Sequence, residues 1–374
     1  VRRHAAAMPH GAGTGAKEKT KSRFQMLILS TEAQTKIDDR KQRWLDFYDP
    51  SKPPTSLFLI RYMPELEERP WPRPQEYTAR LEWSWRKYQL QVGQLAWLED
   101  DTLPFLDLYT GTEIFAAAFG CEVHYPEKDM PFAMPCIRSA DEVTGIAIPG
   151  LDSPVIALLF AMAEELKRRA GPQALLHMVD LQSPMDIAAL IWDKTQFYPA
   201  LIQNPEAVRA LADKVRTFMV SFLDEWFARF GREFISHYPD YYMPYGITIS
   251  EDEVGAVSGK MFNGLFLPEL VELSERYGGI GMHCCANSRH QWENFKKIPG
   301  LRLLNLGQPP EVIRKAVDYF AGFVPQWHSY GCEGPAWTWP GQYPPQARLV
   351  YEIYVSSKEE ALETSARMRE VLGR

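Results

Sequence analysis

Short apolar runs alternate with amphipathic stretches along most of the chain. The runs at 57–62 (LFLIRY), 104–109 (PFLDLY), 174–181 (ALLHMVDL), 233–238 (EFISHY), 279–285 (GIGMHCC), 301–306 (LRLLNL), 323–328 and 349–354 (LVYEIY) are apolar on both faces or nearly so. That is the pattern of strands in a sheet covered by helices on each side. Helical periodicity falls between them, at 154–170, 186–196, 206–230, 259–277, 289–297, 310–321 and 357–372. It is strongest in EAVRALADKVRTFMVSFLDEWFARF, where apolar residues recur at three- and four-residue steps. Strand–helix alternation sustained over about 300 residues predicts an α/β fold with parallel strands. About eight strands favour a closed (β/α)8 TIM barrel over an open sheet. No Gly-rich GxGxxG follows a strand, so a dinucleotide-binding sheet loses support. Residues 63–103 interrupt the alternation with ERPWPRPQEY and a helix-like LEWSWRKYQLQVGQLAWL, and are expected to form an inserted lid or dimerisation element. The expected organisation is a flexible tail over 1–22, without a secretory apolar segment, and a single domain over 23–374.

Composition changes this picture mainly by exclusion. A 374-residue chain with 45% hydrophobic residues can bury a large core. A net charge of −7 argues against a nucleic-acid binder, which needs a basic face to displace phosphate counterions. No stretch approaches the roughly 18–20 apolar residues that cross a bilayer. Five cysteines without scaffold-like spacing argue against a disulfide framework, so the cytoplasm is the expected compartment. With 29 prolines, long and well-structured loops are expected.

Three stretches carry a family resemblance: TGTEIFAAAFGCEVHYPEKDMPFAMPCIRSADEV (110–143), SPMDIAALIWDKTQFYPALIQNPEAVRALADKVRTF (183–218) and ISEDEVGAVSGKMFNGLFLPELVELSERYGGIGMHCCANS (249–288). Together, in this order and spacing, they resemble the uroporphyrinogen-decarboxylase-like superfamily, over roughly residues 100–360. The second is similar to the family's "PFT…NPE" region. The third is similar to the run from an acidic loop to a strand ending in a His-x-Cys-Gly-Asn-like motif. The resemblance implies a (β/α)8 barrel with its active site at the C-terminal ends of the strands, and commonly a homodimer.

His283 and Cys285 close the run GIGMHCC, and two residues apart on a strand their side chains share a face. Imidazole with thiolate is a zinc-preferring pair, although a buried His beside core cysteines would look the same in sequence. In the superfamily's zinc methyltransferases a similar His-x-Cys binds zinc with a further, distant Cys. There the metal holds an acceptor thiol for a methyl group carried by a corrinoid or folate. No cysteine lies on the last run LVYEIY, so Cys332 is the expected third ligand, with His328 as a substitute. Asn305 stands where some relatives place a Glu ligand, and Cys284 should face the core.

Metal-free decarboxylation would use other residues. LFLIRYMPELEER faintly resembles the family's arginine-bearing loop, leaving Arg61 alone where a pair is expected, and Asp107 falls where the family's "FSD" aspartate would. His237 and Tyr241, at and after the strand EFISHY, are candidate acid–base or pocket residues. Glu251 and Asp252 are candidate catalytic carboxylates, although acidic residues before a helix also complement its dipole. Asp180, Gln182, Asn305 and Trp337 are candidate substrate contacts. The leading expectation is a zinc-dependent methyltransferase acting on a small molecule. Its corrinoid would be free or on a partner protein, because no DxHxxG-like motif occurs in the chain. A decarboxylase and a non-catalytic binding subunit are the alternatives.

Overall fold

The computed structural model describes residues 26–374, so the expected tail over 1–22 lies outside the described residues. The strands are β1 (Leu57–Arg61), β2 (Phe105–Leu106), β3 (Glu122–His124), β4 (Phe132–Met134), β5 (Leu175–Leu176), β6 (Phe234–Ile235), β7 (Tyr242–Met243), β8 (Ile247–Ser250), β9 (Ile280–Cys284), β10 (Leu301–Leu306) and β11 (Val350–Tyr354). The α-helices are α1 (Thr31–Tyr48), α2 (Tyr77–Gln94), α3 (Glu113–Ala118), α4 (Pro154–Ala170), α5 (Pro184–Ile191), α6 (Lys194–Gln203), α7 (Pro205–Phe230), α8 (Gly259–Met261), α9 (Leu267–Tyr277), α10 (Trp292–Phe295), α11 (Pro310–Phe320) and α12 (Lys358–Val371). Among the described residues no helix is long and apolar enough to cross a membrane.

Local sequence explains the helix ends. Proline at the first position starts α4, α5 and α7, where its missing N–H is not needed. Gly171 and Gly231, with φ of 92° and 89°, end α4 and α7. The predicted 186–196 helix divides because the Asp193 side chain accepts from Thr195 N at 2.9 Å, capping a new helix, α6. Along α7 the buried positions include Val208, Leu211, Val215, Phe218, Phe222 and Trp226, the stripe that the sequence shows.

The chain is mixed α/β, with small parallel sheets: β1 with β11, β2 with β5, and β8–β9–β10. Single parallel bridges extend them, His177 to Ile235, Gln182 to Ser250, and Gln326 to both Leu304 and Leu349. The sheets do not close into a barrel ladder. Between β1 and β2 the reason is visible. The Asp101 carboxylate accepts from Phe58 N and the Asp100 carboxylate from Ile60 N, each at 2.9 Å, so side chains replace a neighbouring strand. Both carboxylates are buried, and Arg40, Arg43 and Arg374 pair with them. Of the predicted run 323–328, only Gln326 pairs.

Residues 63–103 contain α2, which follows β1 and buries Leu81, Ser84, Tyr88 and Gln91. The Gln91 side chain accepts from Phe105 N at 3.1 Å, and α2 packs on β2 and α4. The segment is thus the connecting helix of a strand–helix–strand unit. The Pro and Trp residues before α2 obscure that periodicity.

Candidate active site at the strand ends

Because the main strands run parallel, their C-terminal ends lie together, and the polar residues that follow them converge. At the end of β9, His283 Nδ1 is hydrogen-bonded to Asn305 Oδ1, and the Asn305 amide donates to the Trp327 carbonyl. Asn305 sits opposite His283 in the β9–β10 register, which makes the contact a direct cross-strand pair. The Asn305 amide is committed as donor, so its oxygen takes the imidazole N–H and Nε2 is left as the free lone pair. Burial holds the His283 pKa below the ordinary range, opposed by the Asn305 hydrogen bond. The imidazole also meets the Tyr238 ring edge-on, with centroids 4.9 Å apart.

Asp252 completes the group. Its carboxylate accepts from Cys285 N at 2.6 Å and Ala286 N at 3.3 Å, and lies 3.0 Å from Cys285 Sγ. One donor atom each from Asp252, His283 and Cys285 lies within 4.8 Å of the others. A tetrahedral zinc with bonds of about 2.0–2.3 Å holds its donors roughly 3.3–3.8 Å apart, so small side-chain rotations suffice. One nitrogen, one sulfur and one oxygen leave a fourth position open, as catalytic zinc sites require. Without a cation, burial and the Asp252 hydrogen bond push the Cys285 thiol up to about 12.

Cys332 is not part of this group; its Sγ lies 3.7 Å from Tyr343 Oη. His328 is buried and used twice, Nδ1 accepting from Leu306 N at 2.9 Å and Nε2 lying 3.0 Å from Gln326 Oε1. The loop carrying both residues turns back onto β11, so neither reaches the triad. Cys284 is buried beside Ser288, as the alternation along the strand requires.

Behind the triad is a carboxylate cluster. Asp186, at the start of α5, accepts from Asp252 N at 2.7 Å and Glu253 N at 2.9 Å, and so fixes the loop carrying Asp252. Glu251 is 1% exposed, and burial and the Asp186 carboxylate hold it well above the usual carboxylate range. Its backbone N donates to His283 O at 2.9 Å. Gln182 is buried, its Oε1 without a hydrogen-bond partner among the described residues.

His237 Nε2 lies 3.0 Å from Ser250 Oγ and 3.3 Å from Asp180 Oδ1. Burial drives His237 well below its ordinary pKa, so it is neutral, and burial pushes Asp180 up to about 7. A raised pKa has a stability consequence. The protonated acid fits the fold, so its contribution is complete below the unfolded pKa of about 3.9 and is lost as pH rises through about 7. Asp180→Asn is therefore expected to gain in thermal midpoint relative to the wild type between pH 5 and 8. Paired melting curves across that range measure it, and a constant difference would contradict it.

A second line of ion pairs runs beside this. Lys87 Nζ lies 2.6 Å from Asp107, whose other oxygen is 3.6 Å from His177 Nδ1. His177 Nε2 donates to His237 O at 3.1 Å and lies 3.5 Å from Asp240. Arg61 spans Asp240, at 3.6 Å, and Glu352, at 2.6 Å. Burial would raise Asp107, but Lys87, then His177 and Arg69, outweigh it and hold it at about 2. Both Arg61 and Asp107 are thus engaged by the protein itself.

Tyr241 is 1% exposed and sits under the site, over Gly281, where an added Cβ would meet its Oη at 2.0 Å. It packs against β9 and the Trp327 ring. Trp337 lies on a short turn packed on α12; Trp327, near Tyr241 and Arg61, is the tryptophan at the site. Lys87, Asp186 and Ser250 were absent from the sequence-based candidates.

The profile of the uroporphyrinogen decarboxylase (URO-D) family matches residues 104–317, more than half of the 374-residue chain. The chain belongs to the URO-D family. The match spans β2 to α11, and with them Asp107, Asp180, His237, Asp252, His283 and Cys285. No curated protein sequence matches it. Among solved structures it is similar to a methyltransferase from Methanosarcina mazei, with a TM-score of 0.61 and 13% identity over 90% of this chain and 99% of that one. At that identity the likeness shows a shared fold.

Proposed function

We propose that this URO-D family protein is a zinc-dependent methyltransferase built on a barrel-like ring of parallel strands. It moves a methyl group from a corrinoid, free or on a partner protein, to a small acceptor. The observation that carries the reading is His283, clamped through Nδ1 by Asn305 so that Nε2 is left for the group formed with Cys285 and Asp252. The fold shared with the Methanosarcina mazei methyltransferase is consistent with it. Zinc held by these three residues would supply Lewis acidity, keeping an acceptor thiol deprotonated at neutral pH. The chain's own residues do the rest. Asp186 fixes the Asp252 loop, Asn305 orients His283, and the Asp180–His237 pair takes up the acceptor's proton.

Decarboxylation of a polycarboxylated substrate has less support. It needs free cations at the strand ends, whereas Arg61 is bridged to Asp240 and Glu352, and Asp107 is paired with Lys87. The side chains of Asp180, Asp186, Glu251 and Asp252 that converge there are acids, not the cations such a substrate needs.

The test combines metal content with turnover. Elemental mass spectrometry of protein purified without chelator is expected to find about one zinc per chain. Loss of methylcobalamin absorbance should then depend on an added thiol. A folded, reduced protein that stays metal-free after zinc is offered overturns the proposal.

A further inference from the structure

The β3–β4 hairpin is closed at its base by two thiols. Cys121 enters β3 and Cys136 follows β4, and Cys121 Sγ donates to Cys136 Sγ at 3.4 Å. The antiparallel register, Glu122 against Met134, carries the two chains side by side to this point. Cys121 is buried and Cys136 exposed. Each is tied by its backbone to a different helix, Cys121 N to Ala116 O of α3 at 3.1 Å and Cys136 N to Ile191 O of α5 at 2.9 Å. An S–S bond of about 2.05 Å therefore needs side-chain rotation at a base already held in place. The hydrogen bond from Cys121 holds Cys136 below the ordinary thiol range, at about 7, which favours its thiolate.

The far end of the hairpin rests beside the candidate site. Arg73 donates to the Pro126 and Glu127 carbonyls, and Tyr109 Oη lies 2.8 Å from Met130 Sδ. The Arg69 guanidinium covers the Tyr109 ring at 3.3 Å and lies 3.7 Å from Asp107.

We infer that Cys121 and Cys136 form a redox-active dithiol, oxidised by low-molecular-weight disulfides, whose bond fixes the base of this hairpin above the Asp107 side of the site. Cys136 thiolate attacks one sulfur of the small disulfide, forming a mixed disulfide and releasing one small thiolate. Cys121 gives its proton to solvent and attacks the Cys136 sulfur, forming the internal bond and releasing the second small thiolate. Two protein thiols lose two electrons, and one external disulfide becomes two thiols. This does not depend on the metal site.

The test exposes the intact protein to graded mixtures of oxidised and reduced glutathione, followed by acid quench, alkylation and peptide mapping. The expected result is a linked Cys121–Cys136 peptide, reversed by dithiothreitol, formed while Cys284, Cys285 and Cys332 remain alkylatable. Cys121→Ser should accumulate at least about tenfold more glutathione adduct on Cys136, because the resolving thiol is gone. Absence of the linked peptide in the wild type, or a lasting glutathione adduct on its Cys136, overturns the inference, and this wild-type map decides even where a serine variant folds poorly.

Discussion

His283→Ala and Cys285→Ala are each expected to lower zinc from about one per chain to under about a tenth, and to abolish thiol methylation. Each removes one of three donors, and His283 and Cys285 supply the nitrogen and the sulfur that favour zinc over harder cations. Asp252→Ala should also weaken metal binding. It removes the oxygen donor and frees Cys285 N and Ala286 N, so the strand end loosens as well. Asn305→Ala tests the supporting contact. The His283 ring loses its fixed tautomer, and a 10- to 100-fold lower affinity is expected, the usual cost of losing such a partner. Cys332→Ala should leave zinc unchanged, since its thiol faces Tyr343. Competition against a chelator of known affinity ranks all five. Zinc lost from Cys332→Ala but kept by Asp252→Ala would return the third ligand to the residue that the family resemblance implied.

That contrast between Asp252 and Cys332 marks where the sequence stops being legible. The β9 run could be read because its residues are neighbours in the chain: alternation alone put His283 and Cys285 on one side and Cys284 on the other. The third corner could not, because it depends on how the loop after β8 folds back. Asp252 reaches Cys285 only because Asp186, 66 residues earlier, holds its backbone N–H. The strand β8 itself, four residues long and starting just after Gly246, was too short for its periodicity to stand out. Helices α4, α7 and α11 were legible nearly to the residue because each carries an apolar stripe, and α12, whose buried face is only Ala361, Thr364, Ser365 and Met368, because Ser357 caps its start. In α1 the buried face includes Arg40 and Tyr48, and Arg40 is buried because it pairs with Asp100, a partner far along the chain. An apolar-stripe reading misses such a helix. The stretch LEWSWRKYQLQVGQLAWL, most of which forms α2, does read as helix-like, but its buried Lys87 is explained only by Asp107, 20 residues on.

Lys87→Met is expected to destabilise the protein by about 3–5 kcal/mol at neutral pH, since it leaves a buried carboxylate without its closest cation. Asp107 is 3% exposed and Lys87 8%, so water cannot substitute for the lost ammonium. The methionine chain still fills the space over the Phe105 ring, where Lys87 Nζ now lies 4.0 Å from the centroid, and the loss is therefore electrostatic. The sign with pH follows from the direction of the shift. Asp107 is held at about 2, so its stabilisation is present above the unfolded value of about 3.9 and is lost as pH falls through about 2. The gap between wild type and Lys87→Met should accordingly narrow as pH falls from 7 towards 4, where Asp107 in the variant regains its proton. Adding Asp107→Asn to Lys87→Met should recover most of the loss, because a neutral amide needs no cation and can still accept from Tyr109 N, now 2.9 Å from Asp107. Denaturant midpoints for the four members of this cycle measure the coupling. The same double variant also separates the two reactions. Methyl transfer at the His283–Cys285 end should survive it, whereas a decarboxylase relying on the Asp107 charge would be inactive however well it folds.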